Sequence, residues 1–283
     1  MKDEALKGNV ESPGDLADSA GDPNDPVDNP AAAARADAEA LPVIPATPSP
    51  FPPAQREAIA VSLGVTAATA VAIHYAFSPE RAGTAKMLIA LVLFYGILTI
   101  GACIRLYMRG ELRARFRPSM GDLTLGAATA GALYGLARIV QIVLAPHGSA
   151  RETWIMRLYL QLGDPAAQGR ELMAAGAFVA AVVEEITWRG LVLRSLEAAY
   201  GLRRAVLLSS ILFGAAHIPT LFVLADPVAG KNPLIVIAAL GCGFIWGVIY
   251  ARTSRLVPCI FAHAFFTWAV VDLPIWRPWS HGP

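Results

Sequence analysis

Ala181–Gly190 reads AVVEEITWRG, and it places Glu184, Glu185 and Arg189 inside an apolar run of about 171–199. An ionised side chain at the centre of a bilayer costs at least ~2.5–3.5 kcal/mol on insertion scales, so such residues face a protein interior or a watery cavity. Three within six residues need more than packing to explain them. Glu185 and Arg189 are four apart and share a helix face, with the acid N-terminal to the base, the favourable order. Glu184 points about 100° away from that pair and has no local partner. Two carboxylates for one arginine leave a surplus charge in an expensive environment.

Outward from this stretch the composition is that of a membrane protein. The chain is 55% hydrophobic and only 16% charged, against roughly 25% charged in an average soluble domain. Its 283 residues suffice for about seven, within a range of six to eight, helices of about 20 apolar residues each. The expected fold is therefore all-α, a polytopic membrane protein. Spans are predicted near 57–77, 84–108, 121–145, 171–199, 205–225, 233–252 and 257–274. Residues 147–170 are mixed; within them TWIMRLYLQL is amphipathic and too short to cross, so it is expected at the interface.

Residues 1–55 are a different material. They hold ten of the 21 prolines, and residues 1–50 carry ten acids against Lys2, Lys7 and Arg35. The net charge there is −7, which leaves +8 for the remainder of a chain with a formal total of +1. Such a stretch buries too little apolar surface to offset ordering entropy and is expected to be a disordered acidic tail. No basic n-region and apolar core mark it as a signal peptide, and its binding partner is unknown. Residues 56–283 form the expected helical membrane domain.

Positive charge in short loops predicts orientation. Arg105, Arg109, Arg113, Arg115 and Arg117 follow the second span, Arg194, Arg203 and Arg204 flank the fourth-to-fifth loop, and Arg252 and Arg255 lie between the sixth and seventh. All three loops share one side if seven spans hold, which places the N-terminus in the cytoplasm, in a bacterial inner membrane. The basic residues are confined to such loops, so nucleic acid is not an expected partner. Cys103, Cys242 and Cys259 lie in apolar stretches without CxxC spacing and read as small buried hydrophobes.

Two histidines on later spans complete the chemistry-bearing set. Phe213-Gly214-Ala215-Ala216-His217-Ile218-Pro219 puts His217 where a proline two residues on ends or kinks the helix. Phe261-Ala262-His263-Ala264-Phe265-Phe266-Thr267 puts His263 and Thr267 on one helix face. A glutamate beside a histidine can deprotonate water, and a second histidine with a hydroxyl can stabilise an oxyanion. Glu184, His217 and His263 could instead ligate zinc with an open water position. The sequence has no HExxH, so that choice rests on geometry. A non-catalytic scaffold or regulator of the same fold, and less favourably a proton-coupled transporter, are the alternatives.

EEITWR fits an EExxxR motif, FGAAH fits FxxxH, and a His-x-x-x pattern begins at His263. In this order on successive apolar helices they resemble the CAAX-protease and bacteriocin-processing family of intramembrane proteases, over about residues 120–274. The resemblance implies an intramembrane endopeptidase that acts near the membrane surface on a membrane-associated peptide or protein. Glu184 would be the general base activating water with the help of His217, and His263 would stabilise the oxyanion. Glu185 and Arg189 would orient or position. Family members are described both as metalloproteases and as metal-independent glutamate-type proteases, and the latter is favoured, with no cofactor. The family's last motif usually reads His-x-x-x-Asn; here Thr267 stands at the asparagine's position, which offers one hydroxyl in place of two amide protons.

Overall fold

A computed structural model describes residues 52–163 and 170–275. Helix α1 (Pro53–Ala76) begins with Pro53 in its first turn, where the missing N–H costs nothing. The helical part of the chain thus starts inside the stretch assigned to the tail; residues 1–51 lie outside the described residues. Next come α2 (Ala85–Met108), α3 (Asp122–Leu144) and the short α4 (Glu152–Leu162). Helix α5 (Arg170–Thr187) runs through a π-helical turn (Trp188–Leu193) directly into α6 (Arg194–Tyr200). The chain ends with α7 (Leu202–Ala216), α8 (Leu234–Thr253) and α9 (Val257–Asp272).

The fold is all-α. Five helical segments among the described residues are long and apolar enough to cross a membrane: α1, α2, α3, Leu202–Val223 and α8. The shortfall from seven has a physical reason at each remaining position. Helix α5 carries Arg170, Glu171, Glu184 and Glu185 in 18 residues, and α9 is apolar but only 16 residues long. Large apolar side chains point outward along the long helices, among them Val71, Ile89, Leu93, Ile97 and Ile139. Nothing in water would favour that arrangement, and a lipid belt accounts for it. The chain is an integral membrane protein.

Helix α5 is the centre of the bundle, packed between α2 and α9; α9 also lies along α3, and α8 along α7. Small residues allow these approaches, as lipid-embedded helices require. A Cβ on Gly126 would stand 2.4 Å from Cβ of Phe261, so α3 and α9 meet through that glycine. Gly126→Ala is expected to destabilise the protein by about 1–3 kcal/mol through overpacking, read as a fall in the thermal unfolding midpoint in detergent. Gly131→Ala on the same helix, with open space around its Cβ position, is the control that should leave the midpoint in place.

The three basic loops converge at one end of the bundle. Arg194 pairs with Glu111 (2.6 Å) and Glu197, Arg115 pairs with Glu111 (2.9 Å) and donates to the Ser254 carbonyl (2.8 Å), and Arg255 pairs with Asp122. Glu57, at the start of α1, joins the same end through Arg105. Partial burial pushes the Glu111 carboxyl up, but hydrogen bonds from Arg194 and Arg115 outweigh it and hold Glu111 below its ordinary range.

The opposite end gathers the α1–α2 turn, α4 and the segment before α8. The Gly83 N–H donates to the Gln161 carbonyl (3.0 Å), and Gly83 and Gly163, both in the left-handed region, approach so closely that a Cβ on either would press on the other's backbone. Asn232 donates to the Trp154 carbonyl (2.9 Å). Helix α4 therefore caps this end rather than crossing the bundle, as its amphipathic sequence predicts.

Candidate active site

The chemistry-bearing residues come from α5, α7 and α9, with additions from α2 and α8. Glu185 is fully buried, and its Oε1 accepts from Arg189 (2.8 Å) and from His263 Nδ1 (3.0 Å). Arg189 is 2% exposed and also donates to the Gly243 carbonyl (2.8 Å). Its guanidinium lies over the rings of Phe213 (5.3 Å) and Trp246 (5.4 Å). The π-helical turn that begins at Trp188 contains Arg189. Such turns insert one residue per turn and re-aim side chains, frequently at functional sites.

Glu184 is only partly buried and faces a different set. Tyr95, on α2, donates its hydroxyl to Glu184 Oε1. The other oxygen, Oε2, lies 3.8 Å from His263 Nε2. That separation is too long for a hydrogen bond. His263 thus stands between two carboxylates, bonded to Glu185 through one ring nitrogen and facing Glu184 with the other. Its ring stacks on Trp246 at 3.8 Å and 23°. The imidazole plane is held by packing on one side and by Glu185 on its edge.

His217 closes α7, where the chain breaks before Pro219 as the sequence predicts. Its Nδ1 donates to the Phe213 carbonyl (2.7 Å), which fixes the ring and leaves Nε2 as the nitrogen not bound there. Among the described residues no hydrogen bond or ion pair joins it to Glu184, yet Glu184 and His263 lie near enough to act on it electrostatically. Thr267 follows His263 by one turn on α9 and is partly buried.

Glu184, Glu185, Arg189 and His263 therefore form one contiguous cluster. His217 stands at its edge, and Thr267 extends the His263 face. Sequence reasoning missed Tyr95, Thr99, Gly243 and Trp246. Thr99 Oγ1 donates to the Val183 carbonyl (2.8 Å), one residue before Glu184. The signal available was weak: a tyrosine and a threonine four apart, facing inward from a mostly apolar span.

Zinc is the other chemistry these residue types could support. Among the described residues no three His, Cys, Asp or Glu side chains are grouped to hold a metal ion. Glu184 Oε1 accepts from Tyr95, His263 Nδ1 bonds to Glu185, and His217 Nδ1 bonds to the Phe213 carbonyl.

A model of the family described as type II CAAX prenyl endopeptidase Rce1-like matches residues 170–269. No curated protein and no solved structure matches the chain. The matched segment holds the EExxxR stretch, His217 and the His263–Thr267 pair, with the buried cluster just described between them. Over that third of the chain the protein is similar to the type II CAAX prenyl endopeptidase family, in line with the resemblance its motifs carry.

Proposed function

We propose that this protein is a glutamate-type intramembrane endopeptidase that hydrolyses a peptide bond near the membrane surface. The observation that carries the reading is the placement of His263 between two carboxylates, 3.0 Å from Glu185 and 3.8 Å from Glu184. A separation of that length between Glu184 Oε2 and His263 Nε2 is one a bridging water can span. Water there would give one proton to Glu184 while its oxygen attacks the scissile carbonyl carbon. The carbonyl oxygen, now negative, would be met by His263 protonated at Nε2 and by the Thr267 hydroxyl. With His263 protonated, the charges of Glu184, Glu185, Arg189 and His263 sum to zero. Glu184 would then return its proton, directly or through His217 Nε2, to the departing amine as the C–N bond breaks.

Glu185 and Arg189 act outside the reacting atoms in this scheme. Glu185 fixes the ring of His263 and Arg189 neutralises Glu185. The substrate is a membrane-associated peptide or protein with an unwound segment, because helical peptide bonds in lipid are already hydrogen-bonded and shielded. A leader peptide or a C-terminal sorting segment is favoured over a prenylated C-terminus. The end of the bundle that carries the basic loops would face the cytoplasm of a bacterial inner membrane, with the N-terminus on that side.

Cleavage of a peptide library by the purified protein in detergent tests the reading. Rigorous stripping of divalent metal is expected to leave the rate within twofold of the untreated enzyme. Loss on stripping with recovery on zinc would replace this scheme by a zinc-dependent one. Thr267 keeps a second reading open, a non-catalytic regulator of the same fold. That reading requires a Glu184→Ala protein to rescue fully a phenotype of the deletion.

A further inference from the structure

Tyr95 lies on α2, outside the matched residues 170–269 and outside every motif quoted above. It is 2% exposed, so it does not reach a substrate. Its phenol donates to Glu184 Oε1. Four residues on, Thr99 donates to the Val183 carbonyl. Helix α2 therefore holds α5 at two adjacent points, one on the backbone before Glu184 and one on the carboxylate itself. Thr69 and Trp188 flank the Tyr95 hydroxyl. Both are buried.

The terminal torsion of a glutamate is broad, so a carboxylate bound at neither oxygen turns freely and exchanges them. A donor on Oε1 removes that freedom. It leaves Oε2 as the oxygen that faces His263 Nε2 and the space between them. Oε1 is covered on the α2 side by a side chain that excludes water. The choice of which lone pairs of Glu184 meet water is thus made on α2, a helix the family motifs do not include.

We propose that Tyr95 is a positioning residue for the reaction, holding Glu184 by Oε1 so that only Oε2 acts on water. This rests on the reading of Glu184 as general base. Because Tyr95 acts through Glu184 and not on substrate, its removal lowers kcat and leaves KM in place. A hydrogen bond to a charged group of this kind corresponds to a loss of about 10- to 100-fold in rate.

The test uses the full-length protein in detergent and two readouts. The first is the infrared band of the Glu184 carboxyl group, assigned by its disappearance in Glu184→Gln and recorded without substrate. The expected result is a displaced band in Tyr95→Phe. Fluorotyrosine introduced at position 95, a stronger donor of the same shape, should displace it in the opposite direction. The second readout is cleavage, with kcat of Tyr95→Phe about 10- to 100-fold lower and KM within twofold of wild type. A folded Tyr95→Phe protein with the band unmoved, or with kcat within twofold of wild type, overturns the proposal. Should the wild type cleave no peptide, the proteolytic reading fails on its own, while the band still decides whether Tyr95 holds Glu184.

Discussion

Glu184→Gln lowers kcat by about 10³-fold or more, with little change in KM and none in folding. Removing a general base typically costs 10²–10⁴-fold, and here no other carboxylate can take over. Glu185 is the nearest candidate, yet it is fully buried and its Oε1 already accepts from both Arg189 and His263. Glutamine keeps an oxygen that can accept from Tyr95 and occupies the same volume, so packing between α2 and α5 survives. The loss therefore reports chemistry rather than collapse. Steady-state cleavage in detergent, beside a thermal unfolding curve, makes the measurement. A Glu184→Gln protein that cleaves at a tenth of the wild-type rate or better would show that the base lies elsewhere.

Arg189→Ala is the most damaging single change expected for stability. Removing one partner of a buried ion pair costs about 3–5 kcal/mol, because the other charge remains uncompensated in a medium that cannot solvate it. Glu185 would be that charge. Among the described residues its Oε2 has no hydrogen-bond partner even in the intact protein, so Arg189 and His263 provide the compensation seen there. Arg189 also spans the gap to α8 through Gly243, and the variant loses that tie. The double variant Glu185→Leu with Arg189→Met removes both charges and should recover most of the stability. It should not recover cleavage, since His263 then lacks the acceptor that fixes its ring. Thermal unfolding and cleavage of the three proteins separate the two effects. An Arg189→Ala protein as stable as wild type contradicts the account of the cluster.

The helices were legible because lipid imposes a simple rule on sequence. Apolar runs of span length became α1, α2, α3 and α8 within a few residues of their predicted ends. The Glu185–Arg189 pair was legible for the same kind of reason, since spacing of four on a helix is local geometry. What could not be read is what joins helices far apart in the chain. Glu185 meets His263 across 78 residues and Tyr95 meets Glu184 across 89. No periodicity encodes those meetings. Tyr95 by itself is indistinguishable from a packing or interfacial aromatic. Glu184, unpartnered on its own helix, takes its partners from α2 and α9. Nor does composition announce the π-helical turn at Trp188.

The ionic ties that gather the basic loops lie in partly exposed positions, with Glu111 and Arg255 both more than a fifth exposed. Glu185 and Arg189 are at 0% and 2%. Dissolved ions reach the first group, where a Debye length of about 8 Å at physiological ionic strength weakens each tie. They do not reach the second. The protein thus keeps two electrostatic accounts that respond to different hands. Salt in the surrounding medium can loosen the seam at one end of the bundle, while the charges beside Glu184 answer only to the residues that enclose them.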